Sequence, residues 1–222
     1  LDCSIVGDTA AFAKHLKADF GGEVSHEPTF GAVHWTTDDG LTADLTMVRV
    51  EQYPDREDLP VVHASHLIHD LRRRDFTVNA MAIALHASQW GMLIDAFGGY
   101  ADLKSHTVRI LHGLSFIHDP TRMLRAARYV SRFGLSMAPR TLQSLHHALE
   151  HNAGRRLSKE RLGNELSQVF CEVNPITALE LLLDWGCLSR WLPEIAAIPN
   201  LLSQASHATN YSQLHGDEVS LA

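Results

Sequence analysis

Two arginine-rich stretches carry the side chains best suited to chemistry, and the first runs from Asp70 to Met81. It contains Arg73, Arg74, Asp75 and Asn79 at a point where a loop is expected to lead into a helix. Guanidinium groups form paired hydrogen bonds with phosphate, and a helix terminus adds backbone N–H groups for the same anion. The stretch therefore predicts a polyphosphate site, with a solvated basic surface as the alternative that the stretch alone leaves open.

The second stretch begins at Asp119 and continues into a helix on which Arg122, Arg125 and Arg128 recur every three residues. Residues at this spacing share one broad helix face. A carboxylate acceptor beside a guanidinium donor complements cytosine or adenine, whereas uracil and guanine present the opposite hydrogen-bond order. The stretch therefore predicts selection of C or A. In the alternative, Asp119 is only a helix cap and the arginines are solvated.

The charge of the chain is distributed unevenly. Over 222 residues the net charge is −7, which argues against a nucleic-acid partner because Lys and Arg supply most of the affinity for phosphate. Between residues 121 and 161, however, nine basic residues stand against two acidic ones. The basic residues are Arg122, Arg125, Arg128, Arg132, Arg140, Arg155, Arg156, Lys159 and Arg161. This basic band predicts contact with polyphosphate or an RNA backbone, with solvated helix faces as the alternative.

Length and composition indicate a globular chain. Apolar residues make up 45% and charged residues 20%, close to globular averages. No apolar run approaches the roughly 18 residues that span a bilayer, so no membrane association is expected. Three widely spaced cysteines provide neither a disulfide framework nor a zinc site, and we expect a cytoplasmic protein. Because the chain opens at Leu1 in strand-like sequence, we expect further residues of a longer protein before it.

The chain has 15 histidines, which could suggest a metal site, but the spacing of these histidines does not favour one. His63, His66 and His69 drift around a helix at i, i+3 and i+6, and their neighbours supply no fixed fourth ligand. His146, His147 and His151 are predicted to be solvated.

The first half of the chain is predicted to mix helices and strands. Asp8 is expected to cap a helix over residues 9–20, and an Asp-Asp-Gly turn is expected to join two strands of a hairpin. The hairpin strands are predicted over 32–37 and 42–50, a loop over 53–60, a short helix over 76–85, and two more strands over 90–96 and 107–111.

After His118 only helices are predicted. The pair Asp119-Pro120 begins the first helix, which Gly134 ends, and further helices are expected over 140–150, 158–171 and 175–185. The fold class is therefore α+β. We expect a mixed α/β domain over residues 1–113, a helical domain over residues 114–202, and a polar, mobile tail over residues 203–222.

Taken in order, five stretches resemble the class II tRNA nucleotidyltransferases and bacterial poly(A) polymerases of the polymerase-β superfamily, over about residues 1 to 195. Leu1–Asp8 resembles the end of the family's metal motif, and Arg73-Arg74-Asp75 with Asn79 resembles its ribose and triphosphate motif. Asp95–Leu103 is similar to the flexible segment between head and neck. Asp119–Arg122 resembles the amino-acid template that selects the incoming base, and Leu157–Arg161 resembles the neck motif. Five motifs in the correct order identify the chain as a member of this family.

The chain also departs from the family pattern. His118 stands where many members have a Glu before the template Asp. In the alignment Asp2 is the second aspartate of the metal motif, and the first aspartate and the glycine-rich phosphate motif would lie before Leu1. The resemblance implies a nucleotidyltransferase head followed by a helical neck and body, and implies that this fragment alone is inactive.

The resemblance implies two-metal nucleotidyl transfer with Mg²⁺, in which Asp2 is catalytic and holds metal. Asp44 is a candidate third carboxylate, or a polar residue on a solvated face. The nucleotide-binding residues implied are Arg73, Arg74, Asp75, Asn79, Asp119, Arg122, Arg125 and Arg128.

The implied reaction is template-independent addition of nucleotides from CTP and ATP to the 3′ end of tRNA, as complete CCA addition or as CC or A addition only. A bacterial poly(A) polymerase shares the same motifs and is the first alternative. A non-catalytic RNA-binding module that keeps the Arg-rich helices is the alternative from another class.

Overall fold

The computed structural model describes residues 1–26, 32–52, 61–64 and 66–196. The chain divides into two compact units, of which the first spans Leu1–Arg74 and the second begins at Asp75. The predicted loop over 53–60, the tail over 203–222 and His63 of the histidine triplet lie outside the described residues or their side chains.

The first unit is built on a four-stranded sheet in the order β1-β4-β3-β2. Its elements are β1 (Asp2–Ile5), α1 (Thr9–Phe20), β2 (Glu23–His26), β3 (Val33–Thr36), β4 (Thr42–Met47), β5 (Arg49–Gln52), β6 (Val61–Ala64) and α2 (Leu67–Arg72). Strand β1 pairs with β4 in parallel, the two other neighbours in this sheet pair antiparallel, and β5 pairs with β6.

Local sequence explains the helix and the core of this unit. The Asp8 side chain accepts a hydrogen bond from the Ala11 N–H at 3.0 Å, which caps α1 as predicted. Ala13 of α1 packs with Val33, Trp35 and Leu45, all buried, so one face of the sheet is covered by α1. Side chains alternate along a strand, and the opposite face of the sheet is therefore left for polar residues.

The second unit combines four two-residue strands with a helical core. Its elements are β7 (Ala82–Ile83), β8 (Leu93–Ile94), α3 (Gly99–Lys104), β9 (Thr107–Val108), α4 (Ser115–His118), α5 (Thr121–Phe133), β10 (Ser136–Met137), α6 (Pro139–Glu150), α7 (Lys159–Phe170), α8 (Pro175–Asp184), α9 (Cys187–Trp191) and α10 (Pro193–Ala196). Single 3₁₀ turns cover Thr77–Asn79, Ala87–Gln89 and Ala153–Arg156. None of the helices in the described residues is long and apolar enough to cross a membrane.

The core of the second unit centres on α5. Met123 and Leu124 are fully buried together with Leu145 of α6 and Leu182 of α8, and α5 contacts both α7 and α8. Phe76 belongs to the same core, although it lies well before the helical region. Because Phe76 packs in this core, the first compact unit ends at Arg74. The sequence pattern instead predicts a domain boundary after residue 113. The domain boundaries themselves stay a prediction.

The structure confirms most predicted elements and corrects two. Only helices were predicted after His118, but the two-residue strand β10 lies there and pairs with β9. The helix over 9–20, the hairpin and the four helices after His118 are confirmed, with ends shifted by one or two residues at most places, and the α+β class is confirmed. The short helix predicted over 76–85 is wrong, because this segment forms one 3₁₀ turn followed by β7. The backbone N–H of Thr77 bonds the Arg109 carbonyl at 2.9 Å, so long-range pairing overrides the helical spacing.

Candidate active site

Two carboxylates lie side by side on the polar face of the sheet in the first unit. Asp2 of β1 is in register with Asp44 of β4, and Asp44 is in register with His34 of β3. Residues in register on neighbouring strands point to the same face, so the three side chains form a row. Asp2 and His34 are exposed and Asp44 is half-buried, and His34 Nδ1 contacts Asp44 Oδ1.

Two arginines directly after α2 lie close to this polar sheet face in the first unit. Arg74 donates to the Ser4 hydroxyl at 3.4 Å, and Ser4 shares the sheet face of Asp2 because it stands two residues further along β1. The buried Asp70 carboxylate holds both guanidiniums: Arg73 donates to it at 2.8 and 3.0 Å, and Arg74 at 3.4 Å. The unit therefore presents carboxylates and oriented guanidiniums together.

The donor set on this face fits a hard divalent cation. Asp2 and Asp44 offer carboxylate oxygens, which are the ligands that Mg²⁺ prefers, and the Ser4 hydroxyl adds a further oxygen on the same face. His34 contacts only one oxygen of Asp44. The residues that were predicted to hold metal are thus neighbours, and metal binding by them stays a prediction.

Asp75 organises the beginning of the second unit. This carboxylate is 7% exposed and accepts from the Phe76 N–H at 2.8 Å and the Asn79 amide at 2.9 Å through Oδ1. Its second oxygen accepts from Arg125 of α5 at 2.7 and 2.8 Å, and Arg125 also donates to the Tyr129 hydroxyl at 3.1 Å. Asp75, Asn79 and Arg125 therefore form one network, and nucleotide binding by them stays a prediction.

Asp119 lies at the start of α5 with donors from two helices. Its Oδ1 accepts from the Thr121 N–H at 3.1 Å, from the Thr121 hydroxyl at 2.7 Å and from Arg161 of α7 at 2.9 Å. Arg122 Nε lies 3.9 Å from Oδ2, while Arg122 Nη1 donates to the Ser115 hydroxyl at 2.6 Å. Asp119 therefore accepts from the N–H of the first residue of α5, and the predicted neighbourhood of Asp119 and Arg122 is present as well.

Arg128 has a different environment from the other two arginines on its helix face. It donates to Glu172 at 2.8 Å and lies 3.5 Å from Glu165, and its side chain is only 12% exposed. Arg132 also binds Glu172, at 2.6 and 2.8 Å. The hydrogen bonds from Arg132 and Arg128 hold the pKa of Glu172 below its ordinary value, despite burial, which raises it. This network ties α5 to the end of α7.

Several residues of these networks were not predicted as site residues, among them His34, Asp70 and Arg161. Asp70 stands three and four residues before the arginines that it holds, so helical spacing could have identified it. His34 and Arg161 reach their partners across a strand pair and between two helices, and no local spacing indicates such contacts.

Known proteins match this arrangement over nearly the whole chain. Residues 1–109 match the family described as the Poly A polymerase head domain. An A-adding tRNA nucleotidyltransferase of Halalkalibacterium halodurans is 38% identical over 221 residues, which cover 98% of this chain and 50% of that protein.

Solved structures give the same result. A CCA-adding enzyme in its apo form II superposes with a TM-score of 0.89 at 32% identity, over 98% of this chain and 52% of that one. A CCA-adding enzyme in complex with ATP superposes with a TM-score of 0.84 at 31% identity, over 99% of this chain and 51% of that one. The chain spans about half the length of the proteins that it matches, and its residues 1–109 belong to the family described as the Poly A polymerase head domain.

Proposed function

We propose that the protein containing this chain adds nucleotides from CTP and ATP to the 3′ end of tRNA without a nucleic-acid template. The observation that carries this proposal is the pairing of Asp2 with Asp44 on a polar sheet face that Arg74 also reaches. Membership of a family whose relatives are named for A addition and CCA addition to tRNA supports it.

The cation in this proposal is Mg²⁺. The family generally uses a divalent metal, and Asp2 and Asp44 are the residues of this chain that would hold it. When bound, the metal would activate the terminal hydroxyl of the tRNA and stabilise the leaving pyrophosphate.

Different side chains of the protein would bind the phosphates and the sugar of the nucleotide. Arg73 and Arg74, which Asp70 orients, would bind the phosphates by paired hydrogen bonds. Asp75 and Asn79, held in place by Arg125, would contact the sugar. Binding of the nucleotide by these groups would lower the entropy cost of bringing it together with the tRNA end.

Base choice would depend on the start of α5. Asp119 would accept from the amine of cytosine or adenine, and Arg122 would donate to the ring nitrogen beside it. Arg128 would act as a positioning residue, because its ion pairs with Glu165 and Glu172 tie α7 to α5 and so support Arg161 beside Asp119.

Addition of A alone is a second candidate for the specificity. The relative that covers 98% of this chain is named an A-adding enzyme. In that case the physiological acceptor would be a tRNA that already ends in CC. A cytoplasmic location is part of the proposal, since all three cysteines are free thiols, as is usual in a reducing compartment.

The test is nucleotide incorporation by the full-length protein on two tRNA transcripts, one ending before CCA and one ending in CC. Incorporation of CTP and ATP on the first transcript would indicate CCA addition, and incorporation of ATP on the second alone would indicate A addition. Long homopolymeric A tails on an unstructured RNA would indicate a poly(A) polymerase instead.

The variant Asp2→Asn tests the metal assignment, with Asp19→Asn on α1 as the control because that side chain is exposed. Loss of the carboxylate charge should lower incorporation by about 100-fold or more and leave tRNA binding nearly unchanged. Full activity of Asp2→Asn would contradict the proposed role of Asp2. Binding of tRNA without incorporation by the unmutated full-length protein would favour the non-catalytic alternative.

A further inference from the structure

The last turn of α6 and the residue that follows it carry three side chains with metal-binding atoms, which the proposed reaction does not use. His147, Glu150 and His151 are all exposed, and each offers one ligand atom within 4.8 Å of the others. Residues three and four apart on a helix are neighbours on one face, which explains the cluster. The spacing His-x-x-Glu-His also occurs at zinc sites on helices of one peptidase class.

The distances suit a small tetrahedral ion. Zinc binds imidazole nitrogen and carboxylate oxygen at roughly 2.0–2.2 Å, so tetrahedral ligand atoms lie roughly 3.3–3.6 Å apart. The observed separations of at most 4.8 Å are close to this value, and exposed side chains can rotate to close the difference. Two imidazoles and one carboxylate leave a fourth position for water.

His151 is already held in the form that binds metal. Its Nδ1 lies 2.8 Å from the backbone carbonyl oxygen of His147, and a carbonyl only accepts, so Nδ1 carries the proton. The lone pair of the neutral ring is then on Nε2, free to bind a metal. Metal-binding histidines typically donate their other ring N–H to a carbonyl or carboxylate in this way.

The remaining ligands are also available. Glu150 forms no ion pair with any residue that the structure describes. The rings of His147 and His151 lie with centroids 4.1 Å apart, close enough for one ion to bind both.

We propose that His147, Glu150 and His151 form a binding site for a borderline divalent transition-metal ion, Zn²⁺ being the representative. Imidazole ligands favour such ions, while the oxygen ligands Asp2 and Asp44 suit Mg²⁺. Because the three ligands are exposed and come from one helical turn, the ion fixes the end of α6, where the next residue, Asn152, adopts a left-handed backbone with φ 55°.

Zinc binding to the full-length protein tests the site, measured by competition with a chromophoric chelator while Mg²⁺ is present in excess. The variants are His147→Gln and His151→Gln, with His146→Gln as the matched control because His146 is an exposed histidine on the same helix. We expect one equivalent of Zn²⁺ to bind the unmutated protein and the control. Either test variant should lose about tenfold or more in affinity at this site.

Thermal unfolding provides the second readout. A ligand that binds only the folded state raises the unfolding temperature, and both histidines face one ion only when α6 is formed. Zinc should therefore raise the unfolding temperature of the unmutated protein and the His146→Gln control, and not that of His151→Gln. Equal zinc affinity in all four proteins, or no measurable zinc binding, would overturn the proposal.

Discussion

The Asp119 carboxylate shows how a single residue can combine a structural and a proposed chemical role. One oxygen accepts from the Thr121 N–H and hydroxyl and from Arg161, while the other faces Arg122 at 3.9 Å. The first set of bonds fixes the carboxylate at the start of α5. The second oxygen and the Arg122 guanidinium are the groups that would face a base.

Asp119→Ala should weaken the preference for CTP and ATP over UTP and GTP by roughly 1–3 kcal/mol, because the acceptor for the base amine is lost. The same change removes a helix cap, which costs about 1 kcal/mol of stability. Asp119→Ser separates the two effects, since serine keeps a capping oxygen and lacks the carboxylate. Single-nucleotide incorporation by the full-length protein measures the preference.

Glu160→Gln is the control, because Glu160 is an exposed residue next to Arg161 in the first turn of α7. It should keep the selectivity of the unmutated protein. If Asp119→Ser excludes UTP and GTP as strictly as the unmutated protein, the carboxylate acts only as a cap.

Among the elements, helices with strong end signals could be predicted from the sequence, and short strands could not. Proline after Asp119 and Gly134 at the other end bound α5, and the buried face between them recurs at helical spacing. Strands β9 and β10 contain two residues each and exist only because they pair with each other across the intervening α4 and α5. Such pairing depends on tertiary packing, which the hydrophobic periodicity of the sequence does not reveal.

Close packing of α3 against the 3₁₀ turn at Thr77–Asn79 depends on a glycine. A Cβ on Gly99 would lie 2.2 Å from the Thr77 carbonyl oxygen, a backbone atom that cannot rotate away. Gly99→Ala should therefore destabilise the protein by roughly 1–3 kcal/mol. Chemical denaturation of the full-length protein measures the change.

The matched control is Gly163→Ala within α7, where an added Cβ meets no atom within 4 Å. Alanine is the better helix former, so this variant should be more stable by about 1 kcal/mol. Destabilisation at Gly163 or none at Gly99 would contradict this account of helix packing.

The ion pairs between α5 and Glu172 make stability depend on pH. Because Arg132 and Arg128 lower the pKa of Glu172 in the folded state, its contribution is complete above the ordinary glutamate pKa of 4.5. The contribution decreases as the pH falls below that value and through the lowered pKa. The unfolding temperature should therefore fall below about pH 4.5 more steeply in the unmutated protein than in Glu172→Gln.

Glu180→Gln on α8 is the control, since no ion pair within the described residues involves Glu180. It should keep the pH dependence of the unmutated protein. At neutral pH, Glu172→Gln should cost about 3 kcal/mol because two guanidiniums lose their partner. Parallel pH profiles for the unmutated protein and Glu172→Gln would exclude this role.

For the molecule as a whole, the basic band is partly neutralised within the fold. Arg125 binds Asp75, Arg128 and Arg132 bind Glu172, and Arg161 binds Asp119. The sequence indicated the excess of positive charge between residues 121 and 161, but all three of these acidic partners lie outside that range. Ion pairs between residues so far apart in the sequence can be identified only from the tertiary structure.

Binding of tRNA should nevertheless weaken steeply with salt. If four phosphates are contacted, affinity falls about 100-fold between 50 and 200 mM salt, because each contact releases counterions. Arg140→Gln, on the exposed start of α6, should lower the slope of log affinity against log salt by about 1. Lys104→Gln, whose ammonium lies over the Tyr100 ring outside the band, should leave the slope unchanged.

The register of β1 against β4 also bears on misfolding. Asp2 and Ser4 alternate along β1 with Cys3 and Ile5, which pack against the core under α1. A slip by one residue would turn the carboxylate into the apolar layer and expose both apolar side chains. The free energy gained by burying the apolar side chains therefore also selects the correct register during folding. A chain that places its carboxylates on the wrong face would not form a stable sheet.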